Sequence, residues 1–146
     1  RDQPRSRGLG DVYKRQEEKG FRVELRLADE TVYTDRRGLC FLLGQVVSNS
    51  VKYALEKPVL TFSLESGGTV TVLSIRDNGP GVRACDLPYV FEKGFTGDSG
   101  HEKSKATGMG LYLAREIARA LGLTLTAASE WGTGFEIRVR FPVVEE

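Results

Sequence analysis

Leu60-Thr61-Phe62-Ser63-Leu64-Glu65, the turn Ser66-Gly67-Gly68, and the run Thr69-Val70-Thr71-Val72-Leu73-Ser74-Ile75 leading into Asp77-Asn78-Gly79-Pro80-Gly81 decide how the rest of the chain is read. Leu60, Phe62 and Leu64 alternate with Thr61, Ser63 and Glu65, the period-two pattern of a strand with one buried face. The glycine pair joins it to a β-branched run, so the two predict a hairpin. Asp77 to Gly81 is a cluster of turn residues that must end the second strand.

Outward from this hairpin the chain alternates between strand and helix signals. Phe21, Val23, Leu25 and Leu27 alternate with charged residues and predict a half-buried strand, with Thr31-Val32-Tyr33-Thr34 as a short partner strand. Asp35 is placed to cap a helix in which Leu39, Leu42, Leu43, Val46, Val47, Ser50 and Ala54 recur at helical spacing. That helix is expected to run to about Leu55 and to be stopped by Pro58. Gly108 to Leu121 reads as a second helix, with Leu113, Ile117 and Leu121 on one stripe and Gly122 ending it. Leu123 to Ala127 and Phe135 to Phe141 read as strands around the turn Trp131-Gly132-Thr133-Gly134. Strands with two long helices imply an α/β two-layer sandwich, one sheet covered on one face.

The chain has 146 residues, a net charge of +1, one His and two Cys. A multi-histidine metal centre and a four-cysteine zinc site are therefore excluded. Cys40 and Cys85 are too few for a disulfide scaffold and fit a reducing compartment. Balanced charge offers no broad footprint for nucleic acid. No apolar run approaches the ~18 residues of a membrane span, and no signal-peptide pattern is expected. Residues 1–16 hold five basic and two acidic residues with almost no apolar periodicity. Asp11-Val12-Tyr13-Lys14-Arg15-Gln16 matches one reading frame of a transposon-end sequencing adapter, so 1–16 is expected to be a non-native segment or a linker, and 17–146 the domain. Without that head the charge is 16 basic against 18 acidic residues, net −2, so the mild basicity says nothing about partners.

Three groups of residues carry possible chemistry. Gln45, Asn49, Lys52 and Tyr53 share one face of the first helix. An Asn oxygen suits Mg²⁺, Lys offers a point charge to phosphate, and Tyr can lie against a base, although a solvated helix face has the same composition. Asp77 sits at a buried strand end and needs donors, of which the exocyclic amine of adenine is one. Gly79 and Gly81 allow close backbone approach, although a capped tight turn reads the same way. Thr107-Gly108-Met109-Gly110-Leu111 opens the second helix, whose N-terminus suits a phosphate, and follows a long polar segment from Phe91 to Thr107 of the kind that forms lids. Lys93, Lys103 and Lys105 in that segment are candidate phosphate contacts or solvated surface.

The order of these motifs is more specific than any one of them. Asn49-Ser50-Val51-Lys52-Tyr53, Asp77-Asn78-Gly79-Pro80-Gly81, Phe91-Glu92-Lys93-Gly94-Phe95 and Gly108-Met109-Gly110-Leu111 resemble, in sequence, the asparagine, first glycine, phenylalanine and second glycine boxes of sensor histidine kinase catalytic domains. The resemblance spans about Phe21 to Pro142 and implies the Bergerat ATP-binding fold, a mixed sheet with helices on one face and a mobile lid. It implies Asn49 as Mg²⁺ ligand, Lys52 on phosphate, Tyr53 on the nucleotide and Asp77 on the adenine amine. Gly79 and Gly81 would line the base pocket, Phe91 and Phe95 anchor the lid hinge, and Gly108 and Gly110 hold phosphates, with Thr107, Met109 and Leu111 beside them in the nucleotide site. Gln45 stands where many such kinases have Asn or an acidic residue, and glutamine can orient a group but is a poor general base. Met109 replaces a common Leu with little change of volume. The boxes look most like those of small intramembrane-sensing kinases that respond to cell-wall-active antibiotics.

The implied activity is transfer of the ATP γ-phosphoryl to a histidine, leaving ADP, with Mg²⁺ required. The implied partners are a histidine-bearing dimerisation domain and a response regulator, with no nucleic acid and no direct membrane contact. The implied setting is the cytoplasmic part of a membrane-anchored sensor. His101 is the only histidine, and its neighbours Asp98-Ser99-Gly100 and Lys103-Ser104-Lys105 form no amphipathic helix, so the acceptor is expected elsewhere. The alternatives are an anti-sigma-factor-type serine kinase, a non-catalytic nucleotide-binding module and a plain hydrolase. The absence of a carboxylate at Gln45 argues against the last.

Overall fold

A computed structural model describes residues 22–27, 32, 34–67, 69–95 and 109–142. Its elements are β1 (Arg22–Leu27), α1 (Arg36–Lys52), β2 (Val59–Ser66), β3 (Val70–Asp77), a 3₁₀ turn (Leu87–Tyr89), α2 (Gly110–Leu121), β4 (Thr124–Glu130) and β5 (Gly134–Pro142). The five strands form one sheet in the order β1-β2-β3-β5-β4. β1 and β2 are parallel, and α1 is their crossover; the other neighbours are antiparallel.

Alternation decides which face is buried. Leu60, Phe62 and Leu64 lie opposite Asp77, Ile75 and Leu73, which in turn oppose Phe135, Ile137 and Val139. All of these except Asp77 are apolar and buried, and they form the core with Leu39, Leu42, Leu43, Val46 and Val47 of α1. Fully burying side chains of this size contributes about 1.5–3 kcal/mol each. The two-layer architecture expected from the strands and two long helices therefore holds.

Asp35 caps α1, its Oδ2 accepting from the Gly38 amide at 2.9 Å. A Cβ at Gly38 would lie 3.0 Å from Leu121 Cδ1, so the start of α1 meets the end of α2. Gln45, two turns on, meets Gly110 at the start of α2. The helices are thus antiparallel. At the end of α2, Gly122 takes the left-handed conformation and the Leu123 amide donates to Ala118 O at 2.8 Å.

Several boundaries differ from expectation. α1 ends at Lys52 rather than near Leu55, five residues before any clash with Pro58 arises. A tertiary contact explains it: Asn78 Oδ1 accepts from the Val59 amide at 2.8 Å, and Asn78 Nδ2 donates to Lys57 O at 3.2 Å, drawing 57–59 away from the helix axis. Val32 is buried in the core and neither it nor Thr34 is strand; β1 pairs with β2 instead. Thr31 and Tyr33 lie outside the described residues. Leu25 is 42% exposed because β1 is an edge strand. The buried stripe of α2 is Leu111, Ala114 and Ala118; Ile117 and Leu121 flank it and Leu113 is half-buried. Alanines at its centre permit the close approach of α1, which apolar periodicity alone does not reveal.

Candidate functional site

The sheet register creates the site. Asp77 occupies a core-facing position in the row Val23, Leu60, Asp77, Phe135 and Ser129, where its neighbours Leu60 and Phe135 are buried. Its carboxylate therefore points toward the helix layer at the end of β3. Ser50 of α1 donates to Asp77 Oδ2 at 2.7 Å, and the Gly79 amide donates to Oδ1 at 2.9 Å. Burial holds the carboxyl above its ordinary 3.8, against the opposing pull of the Ser50 hydroxyl, the Gly79 amide, the Arg76 charge and the Phe135 amide. A carboxylate has about four acceptor positions, so one further donor can still be accommodated.

Beside Asp77 runs the polar face of α1. Gln45, Asn49 and Tyr53 are half-buried and Lys52 is exposed. Burial raises the Tyr53 phenol above its ordinary 10.0, so it stays neutral. A Cβ at Gly79 would lie 3.3 Å from Tyr53 O and 3.0 Å from Asp77 Oδ1, so this turn packs directly on the end of α1. A Cβ at Gly110 would lie 3.5 Å from Gln45 Oε1. The N-terminus of α2, which has no side-chain cap, thus abuts the same polar face.

The structure brings Gln45, Gly110 and Met109 together at one end of this face, and Tyr53, Asp77 and Gly79 at the other. Leu111 is buried in the core below. Phe91 and Phe95 pack against the core, and Lys93 Nζ lies 5.9 Å from the Tyr112 ring, so 91–95 adjoins the first turn of α2. Thr107, Gly108, His101, Lys103, Lys105 and the rest of the expected lid beyond Phe95 lie outside the described residues. Gly81 has φ +73°, and a Cβ there would lie 2.6 Å from Gly134 O. Its lack of a side chain serves the contact with the β4–β5 hairpin.

Sequence reasoning missed four contributors. Ser50 falls within the apolar stripe of α1; a hydroxyl at a core position must find a partner, and that is the available signal. Asn78 pins 57–59. Ser129 and Gly134 hold the turn from β4 and β5, and nothing local marks them. Among the described residues no group of three or more His, Cys, Asp or Glu is placed to hold a metal. Asn49 supplies a single neutral oxygen, which fits a Mg²⁺ held mostly by phosphates and water.

Asp77, buried at a strand end, the polar face of α1 and the start of α2, which has no side-chain cap, thus meet at one site on a mixed sheet. Residues 34–145 match the histidine kinase-, DNA gyrase B- and HSP90-like ATPase family, and the chain belongs to it. It is 39% identical over 129 residues to the sensor protein BceS of Halalkalibacterium halodurans, covering 88% of this chain and 38% of that protein. It is 34% identical over 127 residues to the sensor protein kinase GraS of Staphylococcus aureus, covering 87% of this chain and 36% of that one. The chain thus spans little more than a third of the length of these relatives. The catalytic domain of histidine kinase ThkA superposes with a TM-score of 0.79 at 21% identity, covering 96% of this chain and 95% of that one. The mycobacterial sensor histidine kinase MprB superposes with a TM-score of 0.74 at 22% identity, covering 94% and 90%. The Bergerat ATP-binding fold and the sensor-kinase resemblance are therefore borne out. No helix among the described residues is long and apolar enough to cross a membrane.

Proposed function

We propose that residues 17–146 bind MgATP and donate its γ-phosphoryl to a histidine on a separate dimerisation domain, for relay to an aspartate of a response regulator. The observation that carries this is the joining of α1 to both ends of one site. Ser50 ties it to Asp77 at the base end, and Gln45 abuts Gly110 at the phosphate end. The adenine amine donates to Asp77, Tyr53 lies against the nucleotide, and Gly79 lines the base. Lys52 and the start of α2, with Thr107, Gly108, Met109 and Gly110, meet the phosphates, and Leu111 anchors that start in the core below. Asn49 is the protein ligand for Mg²⁺, which would neutralise phosphate charge. The chain's contribution to transfer is positioning and electrostatics, with Gln45 orienting the acceptor. The setting is the cytoplasmic side of a membrane-anchored sensor.

Calorimetric titration with ADP and a non-hydrolysable ATP analogue, with and without Mg²⁺, tests binding. Labelled ATP with a detached dimerisation domain tests transfer. Acid-labile, alkali-stable phosphate on that domain is expected; acid-stable phosphate would point to the serine-kinase alternative, and no transfer to a binding module.

A further inference from the structure

Four successive residues, Pro80 to Arg83, where the Asp77 turn ends, lie against one hairpin tip. The Gly132 amide donates to Pro80 O at 2.6 Å. A Cβ at Gly81 would lie 2.6 Å from Ser129 Oγ and 2.8 Å from Glu130 O. The Val82 amide donates to Ser129 Oγ at 2.7 Å. The Arg83 guanidinium lies 5.1 Å from the centre of the Trp131 ring. The single proton of the Ser129 hydroxyl faces both Val82 O at 3.2 Å and Gly134 O at 3.1 Å. Ser129 therefore joins the turn to both strands of the hairpin, β4 through its own backbone and β5 through Gly134.

We propose that Ser129 is a positioning residue for the base end of the nucleotide site: its hydroxyl sets where the backbone of 79–82 stands relative to Asp77. This rests on the reading of Asp77 as the adenine acceptor. Ser129 is far in sequence from that turn, yet it lies on the same core-facing sheet row as Asp77, two strands away through Phe135. The other end of the turn is already fixed, Gly79 by Asp77 and Asn78 by 57–59. A turn held at both ends presents a flat base with one backbone outline, and binding then loses little to ordering that backbone. Loss of the hydroxyl removes the tie at Val82 and leaves the Gly132–Pro80 bond and the Arg83–Trp131 contact on either side of it. The phosphate end, at Gln45 and Gly110, stays as it is.

The test is calorimetric binding of adenosine, ADP and an ATP analogue to wild type, Ser129→Ala, Trp131→Ala and Asp77→Ala, well below the melting temperature. Ser129→Ala is expected to weaken all three ligands by one common factor, roughly five- to thirty-fold, with the ATP-to-ADP ratio and the Mg²⁺ dependence unchanged. Trp131→Ala, a change at a half-exposed ring, is expected to give a smaller loss of the same kind and keeps the test open if Ser129→Ala fails to fold. A lowered melting temperature with unchanged affinities overturns the proposal, because a stability role leaves the folded population near full at the assay temperature. So does a loss confined to ATP. If wild type binds no adenosine or ADP, or Asp77→Ala binds both as well as wild type, the reading of the base site fails instead.

Discussion

Ser50 and Asp77, 27 residues apart, are joined by a hydrogen bond of 2.7 Å that ties the last full turn of α1 to the end of β3. Both residues are buried, Ser50 at 5% and Asp77 at 8% exposure. A buried acid is tolerable only with donors. Replacing Ser50 by Ala removes one and leaves Oδ2 short of a partner. Ser50→Ala is expected to lose about 1–3 kcal/mol of stability, read from urea unfolding, and to push the Asp77 carboxyl further up. A variant as stable as wild type would mean the bond contributes nothing net.

The raised carboxyl of Asp77 also sets a pH dependence. An acid whose pKa is higher in the folded state binds its proton more tightly there, so its favourable contribution is complete below the ordinary 3.8 and is lost as pH rises through the folded value. The stability of wild type relative to Asp77→Asn should therefore fall as pH rises above 3.8, and level off once Asp77 is ionised. Thermal melts across that range check the sign. A difference that grows with pH would contradict burial as the dominant cause.

Asn49→Ala should remove most of the Mg²⁺-dependent gain in ATP affinity and leave metal-free ADP binding near wild type. Asn49 is half-buried on the polar face of α1, one turn after Gln45, which adjoins Gly110. Titration with and without Mg²⁺ separates the two terms. An unchanged response to Mg²⁺ would defeat the metal assignment.

Gly81 and Gly94 both have positive φ, +73° and +83°, but a Cβ at Gly81 would lie 2.6 Å from Gly134 O, whereas one at Gly94 would meet nothing within 4 Å among the described residues. A side chain in this backbone region costs about 1–3 kcal/mol, and Gly94→Ala should show that cost alone. Gly81→Ala should lose clearly more in urea unfolding, since the atoms it meets are backbone. Equal losses would show that the hairpin tip yields easily.

Asp35 as a cap, the alternation of Leu60, Phe62 and Leu64, and Gly122 at the end of α2 were legible in the sequence. Each expresses a local rule acting over a few residues: a side-chain oxygen near free amides, a pleat of period two, a conformation that glycine adopts freely. The family motifs were legible for the same reason, being short stretches in fixed order. The end of α1 was not, because Asn78, from the turn after β3, draws 57–59 away; nor was the buried face of α2, which small residues packed against α1 select.

The sequence by itself therefore determined the elements, the two-layer class and the residues whose chemistry suits a nucleotide. Only the tertiary structure decided what surrounds them. Sheet register turned Asp77 inward in a row of apolar side chains, the antiparallel helix pair brought Gln45 to Gly110, and the β4–β5 hairpin placed Ser129 beneath Val82. The reason is physical: a hydrogen bond between residues 27 or 47 positions apart depends on how strands pair and helices pack, and no local pattern in either segment encodes its partner.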